Sequence, residues 1–419
     1  MTSRRGLVFI FTVFLIIFSF MFSASEEAKA KSITVGLSLD YTGPGGAYGT
    51  GVSNGLVDHL MWINNQGGIE YKDPQTGKTE RVEIKMVWED NATNPAKSVS
   101  IYKRLKAAGA KVIYIHNSGP GEALSPSLSR DRILGVCYGY ASPAGYRPEP
   151  LYYMSKYPTI VEDFATMAKW FTSKWKESRP PRIAGMVMDT PSWRVIGEPE
   201  GAKAEVEKLG AEWAGIEFMP MMPTDLSVQI SRIIEKRADV IGFYGISNHT
   251  RVMAKDMLKL GVDPKKIQVI VNGSGWDESL LTSVPEEVGF IGEIPTALPW
   301  EDVPGVRLAK KVALWRGRKI EVVRSDYLHG FVLGYIFKAG LKTALEKVGI
   351  DKVAPTDIRN VFFNLKDVDV GGVSPNVTVR EPDYPVLAPD TRYSKIEGGR
   401  FKIIPPIWIE YAKVKFGRR

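Results

Sequence analysis

The chain has 419 residues, 44% hydrophobic and 24% charged, with a formal net charge of +8. Such a composition is that of an ordinary folded protein, long enough to bury a core in each of two lobes. The basic residues are scattered rather than run together, which implies no nucleic-acid partner, and a single cysteine, Cys137, excludes an intramolecular disulfide.

Residues 1–30 read as a secretory signal peptide. Arg4 and Arg5 form a basic start, residues 7–22 are apolar except for Thr12 and Ser19, and Ala28-Lys29-Ala30 supplies the small-x-small cleavage pattern. Cleavage is expected after Ala30, with export to the periplasm. No cysteine lies near that site, which excludes a lipoprotein anchor. No later segment approaches the ~18 apolar residues of a membrane span. Cys137 follows Ile133, Leu134 and Val136 and reads as a buried, inert thiol.

Strand-like and helix-like segments then alternate. Residues 32–40 read as a strand, 51–65 as a helix, and 82–89 as a strand reached through a polar hairpin at 71–80. Helix 94–108 opens on Asn94-Pro95, an N-cap followed by proline at the first position. Strand 112–116, short helix 122–131 and strand 134–138 complete a first series. A second series runs through helix 160–175, strand 182–189, helix 197–209, strand 212–218, helix 226–236, strand 240–244, helix 251–260 and strand 267–271. A long helix at 325–348 and a proline-rich tail with a strand at 401–408 follow. Alternation of this kind predicts an α/β fold of parallel sheets flanked by helices. The strand count predicts two Rossmann-like lobes.

In parallel sheets ligands meet the loops that follow the strands. Here those loops are rich in Gly, Ser, Asn and aromatic residues: DYTGPGGAYGTG at 40–51, NSGPG at 117–121, GYASP at 139–143, TPSW at 190–193, GISNH at 245–249 and NGSGWD at 272–277. Glycine lets backbone approach a ligand, Ser and Asn supply neutral hydrogen bonds, and Trp or Tyr supply flat walls. For any one loop, turn formation explains the composition better; for several together, at corresponding strand ends, a binding site is favoured. The first loop fails the dinucleotide fingerprint, because Tyr48 stands where the third glycine belongs, and it lacks a P-loop lysine. Gly273-Ser274-Gly275 lacks the nucleophile-elbow spacing. The four histidines show no metal-ligand spacing. No catalytic residue, metal site or cofactor is therefore expected.

ITVGLSLDYTGPGGAYGTG (33–51), INNQGGI (63–69), KVIYIHNSGP (111–120), RIAGMVMDTPSWRVIGEPEGAKAEVEKLGAE (182–212) and SDYLHGFVLGYIFKAGLKTALEKVG (325–349) carry a resemblance in order and spacing. The chain resembles the leucine/isoleucine/valine-binding type of periplasmic solute-binding protein that serves ABC importers. The resemblance implies a type I periplasmic binding fold whose two lobes, joined by hinge crossovers, close on a small-molecule solute. It implies lobe 1 at residues 31–155 plus 290–370 and lobe 2 at 156–289 plus 371–419. It also implies a monomer that hands its solute to an inner-membrane permease and has no enzymatic activity. It implies that Asn117, Ser118 and Gly119, with Gly139, Tyr140 and Ser142, receive a solute carboxylate. By the same resemblance Tyr48, Trp193 and Tyr327 supply aromatic contacts. Ser247, Ser274, Trp276 and Asp277 complete the candidate site from the second-lobe loops.

Two departures bear on the solute. Tyr140-Ala141-Ser142 stands where the family usually carries a threonine, and the place of the ammonium-binding acid reads Asn272-Gly273-Ser274-Gly275-Trp276, with Asp277 displaced. A buried ammonium without an acid partner costs several kcal/mol. Branched-chain or related amino acids therefore stand beside aromatic or aliphatic carboxylates as expected solutes, with amide- or urea-type solutes as the alternative. A sensing module acting in trans on a membrane receptor, and an exported enzyme on an α/β fold, are the rival functions.

Overall fold

The structure is a computed structural model and describes residues 31–414 apart from 381–383 and 389. The expected signal segment, with its cleavage site after Ala30, lies outside the described residues.

Thirteen strands among the described residues form two sheets. The first is built from β1 (Ser32–Leu39), β2 (Ile69–Lys72), β3 (Thr79–Asp90), β4 (Val112–Ile115), β5 (Leu134–Cys137) and β6 (Tyr153–Ser155), in the order β2-β3-β1-β4-β5-β6. All its pairings are parallel except β2 with β3. That antiparallel pair is the expected hairpin, its turn held by Asp73 Oδ1, which accepts the N–H groups of Gln75 and Thr76. β4 (VIYI) and β5 (LGVC) are buried throughout, the mark of parallel strands covered on both faces.

The second sheet is built from β7 (Arg182–Met188), β8 (Glu212–Met219), β9 (Val240–Tyr244), β10 (Gln268–Val271), β11 (Ile291–Glu293), β12 (Asp390–Glu397) and β13 (Arg400–Glu410). Their order is β13-β12-β11-β10-β9-β7-β8. β12 and β13 form an antiparallel edge on an otherwise parallel sheet. β11 pairs with β10 here, so the chain leaves this sheet after Glu293.

The flanking helices are α1 (Gly46–Asn65), α2 (Pro95–Ala107), α3 (Ser118–Asp131), α4 (Ile160–Lys174), α5 (Ala202–Lys208), α6 (Ser227–Glu235), α7 (Ser247–Lys259), α8 (Pro304–Trp315), α9 (Ser325–Val348) and α10 (Pro355–Phe362). The predicted cap of α2 is present, Asn94 Oδ1 accepting the Lys97 N–H at 3.0 Å. α4 opens on a reciprocal capping box between Thr159 and Glu162. α1 and α9 approach at backbone distance: a Cβ on Gly55 would fall 2.0 Å from the Tyr327 carbonyl oxygen, and one on Gly330 1.9 Å from that of Val52.

The chain crosses between the sheets after β6, after β11 and again between α10 and β12. The first and third crossings run side by side, with the Leu387 N–H on the Ser155 carbonyl at 3.0 Å and the Ala388 N–H on that of Lys156 at 2.7 Å.

Three helices start earlier than their periodicity predicts. α1 begins at Gly46, α3 at Ser118 and α7 at Ser247. Their first turns are rich in Gly, Ser and Asn, which carry little helix signal; packing against the strand ends holds them helical. The helix expected at 197–209 is broken by Pro199 into a short turn at Arg194–Gly197 and α5.

Candidate functional site

Between the two sheets, at the ends of β1, β4, β5, β7 and β9, lies a cavity of about 520 Å³. Its first-lobe wall includes Asp40, Pro44, Gly45, Tyr48, Thr93, Pro95, His116, Asn117, Ser118, Gly119, Glu122, Tyr138, Gly139 and Tyr140, and Tyr157 joins them from the crossing after β6. Its second-lobe wall includes Met188, Thr190, Ser192, Trp193, Met221, Ile246 and Ser274. The volume equals that of on the order of fifteen to twenty liquid waters, within the usual range for organic ligands.

The helix starts place the polar groups. Because α3 begins at Ser118, the N–H groups of Ser118 and Gly119 sit in its first turn without intrahelical acceptors. Gly139 lets the next loop close over them: a Cβ there would lie 2.3 Å from Ser118 Oγ. Because α1 begins at Gly46, Tyr48 lies in its first turn. The Tyr48 hydroxyl is 2.6 Å from the Tyr138 hydroxyl and 2.6 Å from His329 Nδ1. Tyr138 is in turn 2.8 Å from the same imidazole nitrogen.

The aromatic floor continues through Tyr138, which stacks on His116 at 5.0 Å, and Tyr157, which stacks on Tyr140 at 5.1 Å. Burial pushes His116 down to about 3, so its imidazole is neutral. From the other lobe, Trp193 meets Tyr140 edge-on at 6.1 Å. Behind the floor, Lys156 is 3% exposed and donates to the Tyr157 hydroxyl at 3.1 Å. Burial holds its ammonium well below the ordinary lysine range.

Carboxylates surround the floor. The Tyr140 hydroxyl donates to Glu293 Oε2 at 3.1 Å, and the same carboxylate accepts the Gly273 N–H at 2.8 Å and the Tyr411 hydroxyl. Asp163 lies beside it; burial, and then Glu293, hold Asp163 well above the usual carboxylate range. In the cavity wall itself, Asp40 accepts the Thr93 hydroxyl at 3.1 Å and Asn117 Nδ2 at 3.0 Å; burial raises it and these bonds pull it back. Glu122, raised by burial, accepts the Ser192 hydroxyl at 2.9 Å, a bond from one lobe to the other. A second inter-lobe bond pair lies farther along the cleft, where Glu278 accepts the Ser325 N–H at 3.0 Å and its hydroxyl at 2.6 Å. Burial pushes Glu278 up to about 7.

Of the residues singled out in the sequence, Tyr48, Asn117, Ser118, Gly119, Gly139, Tyr140, Trp193 and Ser274 line the cavity together. Ser142, Ser247, Trp276, Asp277 and Tyr327 are buried elsewhere. Ser142 lies against the Glu122 carboxylate. Trp276 packs on Phe401 at 5.1 Å and donates Nε1–H to Ser394 at 2.9 Å, inside the second lobe. Asp277 accepts the Ser247 hydroxyl and the Ser279 N–H. The Tyr327 hydroxyl donates at 3.0 Å to the buried Asp58, whose carboxylate also pairs with the partly exposed Arg316 and Arg318. Cys137 is fully buried and its thiol is pushed up to about 12, as an inert core thiol should be.

Glu122, Tyr138, Tyr157, Met188 and Met221 line the cavity without having been singled out. Tyr138 carried a signal, since it closes the strand before the GYASP loop. Glu122 carried none, being one of several acids on a helix.

A family model described as "Periplasmic binding protein" matches residues 32–377. Among curated proteins, the Leu/Ile/Val-binding protein homolog 1 of Brucella abortus is 21% identical over 254 residues, 60% of this chain and 63% of that protein. The chain thus spans under two thirds of the length of the curated relatives it matches. Among solved structures, a branched chain amino acid ABC transporter from Thermus thermophilus with bound valine superposes with a TM-score of 0.76 at 16% identity, covering 91% of this chain and 97% of that one. A solute binding protein of an ABC transporter from Rhodopseudomonas palustris HaA2, in complex with p-hydroxybenzoic acid, gives 0.73 at 17% identity over 91% and 98%. A fatty acid ABC transporter substrate-binding protein from Thermomonospora curvata gives 0.71 at 17% over 92% and 93%. At these identities the likeness to the solved structures is one of fold.

Proposed function

Because the chain belongs to the periplasmic binding protein family, we propose that it is the extracytoplasmic solute-binding component of an ABC importer. In this reading it captures a small organic solute between its lobes by hinge closure and delivers it to a membrane permease. The supporting observation is the inter-lobe cavity of about 520 Å³, built from strand-end loops of both sheets and floored by Tyr138, Tyr140 and Tyr157.

The neighbours' solutes include valine, fatty acid and p-hydroxybenzoic acid. Flat walls from Tyr140 and Trp193 favour a flat body. An α-amino acid is less favoured, because Asp277, the displaced acid of the 272–277 loop, does not line the cavity and is committed to Ser247 and Ser279. Closure on such a solute removes apolar surface on both sides from water, which supplies affinity without chemistry.

A thermal-shift screen of amino acids, aromatic and aliphatic acids, amides and urea-type compounds, with mass spectrometry of any co-purified solute, tests the proposal. At least one class should raise the melting temperature in a concentration-dependent way. A broad panel without any stabilising compound, from protein carrying no solute, would refute it.

A further inference from the structure

We infer that the cavity takes a solute with an uncharged, hydrogen-bond-donating head of the carboxamide class rather than a free carboxylate, and that Glu122 sets this preference. The inference rests on the solute-binding reading above.

The polar groups at the α3 end of the cavity are unequal in kind. Two of them, Asp40 and Glu122, are carboxylates, and no lysine or arginine is among the lining residues. Asp40 is satisfied within the protein by Thr93 and Asn117. Asn117 thereby commits its Nδ2 and keeps a buried Oδ1, an acceptor, with no hydrogen-bond partner among the described residues. Glu122 accepts the Ser192 hydroxyl through Oε2, and the Ser142 N–H and hydroxyl lie against its carboxylate. Its Oε1 is buried without a hydrogen bond of good geometry. The chain's own carboxylate thus already stands at the Ser142 turn, the place expected from the sequence to receive a carboxylate from the solute.

A second carboxylate brought here would share a largely buried site with Glu122 and Asp40 and no cation among the lining residues, so that ionising one carboxyl opposes ionising the next. Lys156 does not relieve this, since it lies behind the floor and is turned to Tyr157. A carboxamide suits both kinds of partner. Its carbonyl can accept from the first-turn N–H groups of Ser118 and Gly119, and its NH2 can donate to Glu122 or Asn117. Glu122 also reaches Ser192 across the cleft, so a donor on its carboxylate bears on the inter-lobe contact.

The test is a matched pair of probes with the same shape and different charge, 4-hydroxybenzamide and 4-hydroxybenzoate. Their affinities are measured by calorimetry at pH 7.5 on the wild type and on Glu122→Gln, with circular dichroism to check folding. The amide should bind the wild type at least tenfold more tightly than the acid, and the variant should shift that ratio at least tenfold toward the acid. An acid that binds the wild type as well as the amide, or a ratio unmoved by Glu122→Gln, would overturn the inference while leaving the solute-binding reading intact. Failure of both probes to bind would also overturn it, with the broad panel deciding the solute-binding reading separately. The wild-type ratio needs no variant and stands even if Glu122→Gln does not fold.

Discussion

Trp193 and Trp276 follow strand-end loops in the same lobe, yet their environments assign them opposite roles, and substituting each in turn separates them. Trp276 is 1% exposed, stacks on Phe401 at 5.1 Å, covers Gly292 so closely that a Cβ there would fall 1.9 Å from its ring, and donates Nε1–H to Ser394. Trp276→Ala should cost about 3–5 kcal/mol, because a buried Trp-to-Ala change combines lost transfer energy with a residual cavity. The orphaned Ser394 hydroxyl places it toward the upper end. For a lobe of this size that corresponds to a fall of roughly 10 °C or more in the melting temperature. Affinity of the folded variant for the best panel solute should stay within about threefold of wild type, since the ring does not line the cavity. Trp193→Ala should show the reverse pattern, an affinity loss of at least tenfold with a smaller change in stability, because its ring walls the cavity beside Tyr140. Urea denaturation of both variants, with calorimetry under native conditions, reads both quantities. A Trp276→Ala protein of wild-type stability, or one that stays folded but loses the solute, would refute this division.

Ser118→Ala should weaken binding of a solute that hydrogen-bonds to the Ser118 hydroxyl by about 1–3 kcal/mol, read by calorimetry; an unchanged affinity removes that hydroxyl from the site and leaves the backbone N–H groups. Gly330→Ala should destabilise the chain by about 1–3 kcal/mol or more in urea denaturation, because the added Cβ meets the Val52 carbonyl oxygen at 1.9 Å and neither backbone can yield without parting α1 from α9. Glu278 should make the protein less stable as pH rises. Burial, its largest influence, lifts this carboxyl from 4.5 to about 7 against the hydrogen bonds of Ser325, with Asp326 adding to the rise. The folded form therefore holds a proton that the unfolded form releases. Its contribution is intact below about pH 4.5 and falls away as pH climbs through 7, by about 3 kcal/mol in all. Glu278→Gln should flatten that slope between pH 5 and 8 in denaturation midpoints, and an unchanged slope would rule Glu278 out as its source.

Much of the fold was legible because its signals are local. The buried runs of β4 and β5, the Asn94-Pro95 start of α2 and the hairpin before β3 each declare themselves within a few residues. The starts of α1, α3 and α7 did not, since Gly, Ser and Asn form turns unless packing makes them helical, and those starts carry Tyr48, Ser118 and Ser247. The candidate site was legible as a set of loops but not as a set of contacts. Tyr48, Ser118, Gly139 and Trp193 converge on the cavity, whereas Trp276 and Tyr327 turn into the lobes, where a Ser394 hydroxyl and an Asp58 carboxylate satisfy their polar ends.

By itself the sequence determined the α/β class, the two-lobe organisation and the family, because alternating periodicities and strand-end loop composition are written along the chain. Only the tertiary structure decided which side chains face the cavity and which charges accompany them. Glu122 is an unremarked acid in the sequence; α3 and the facing Ser192 loop carry it into the cleft from residues seventy positions apart, a distance across which no local pattern can speak.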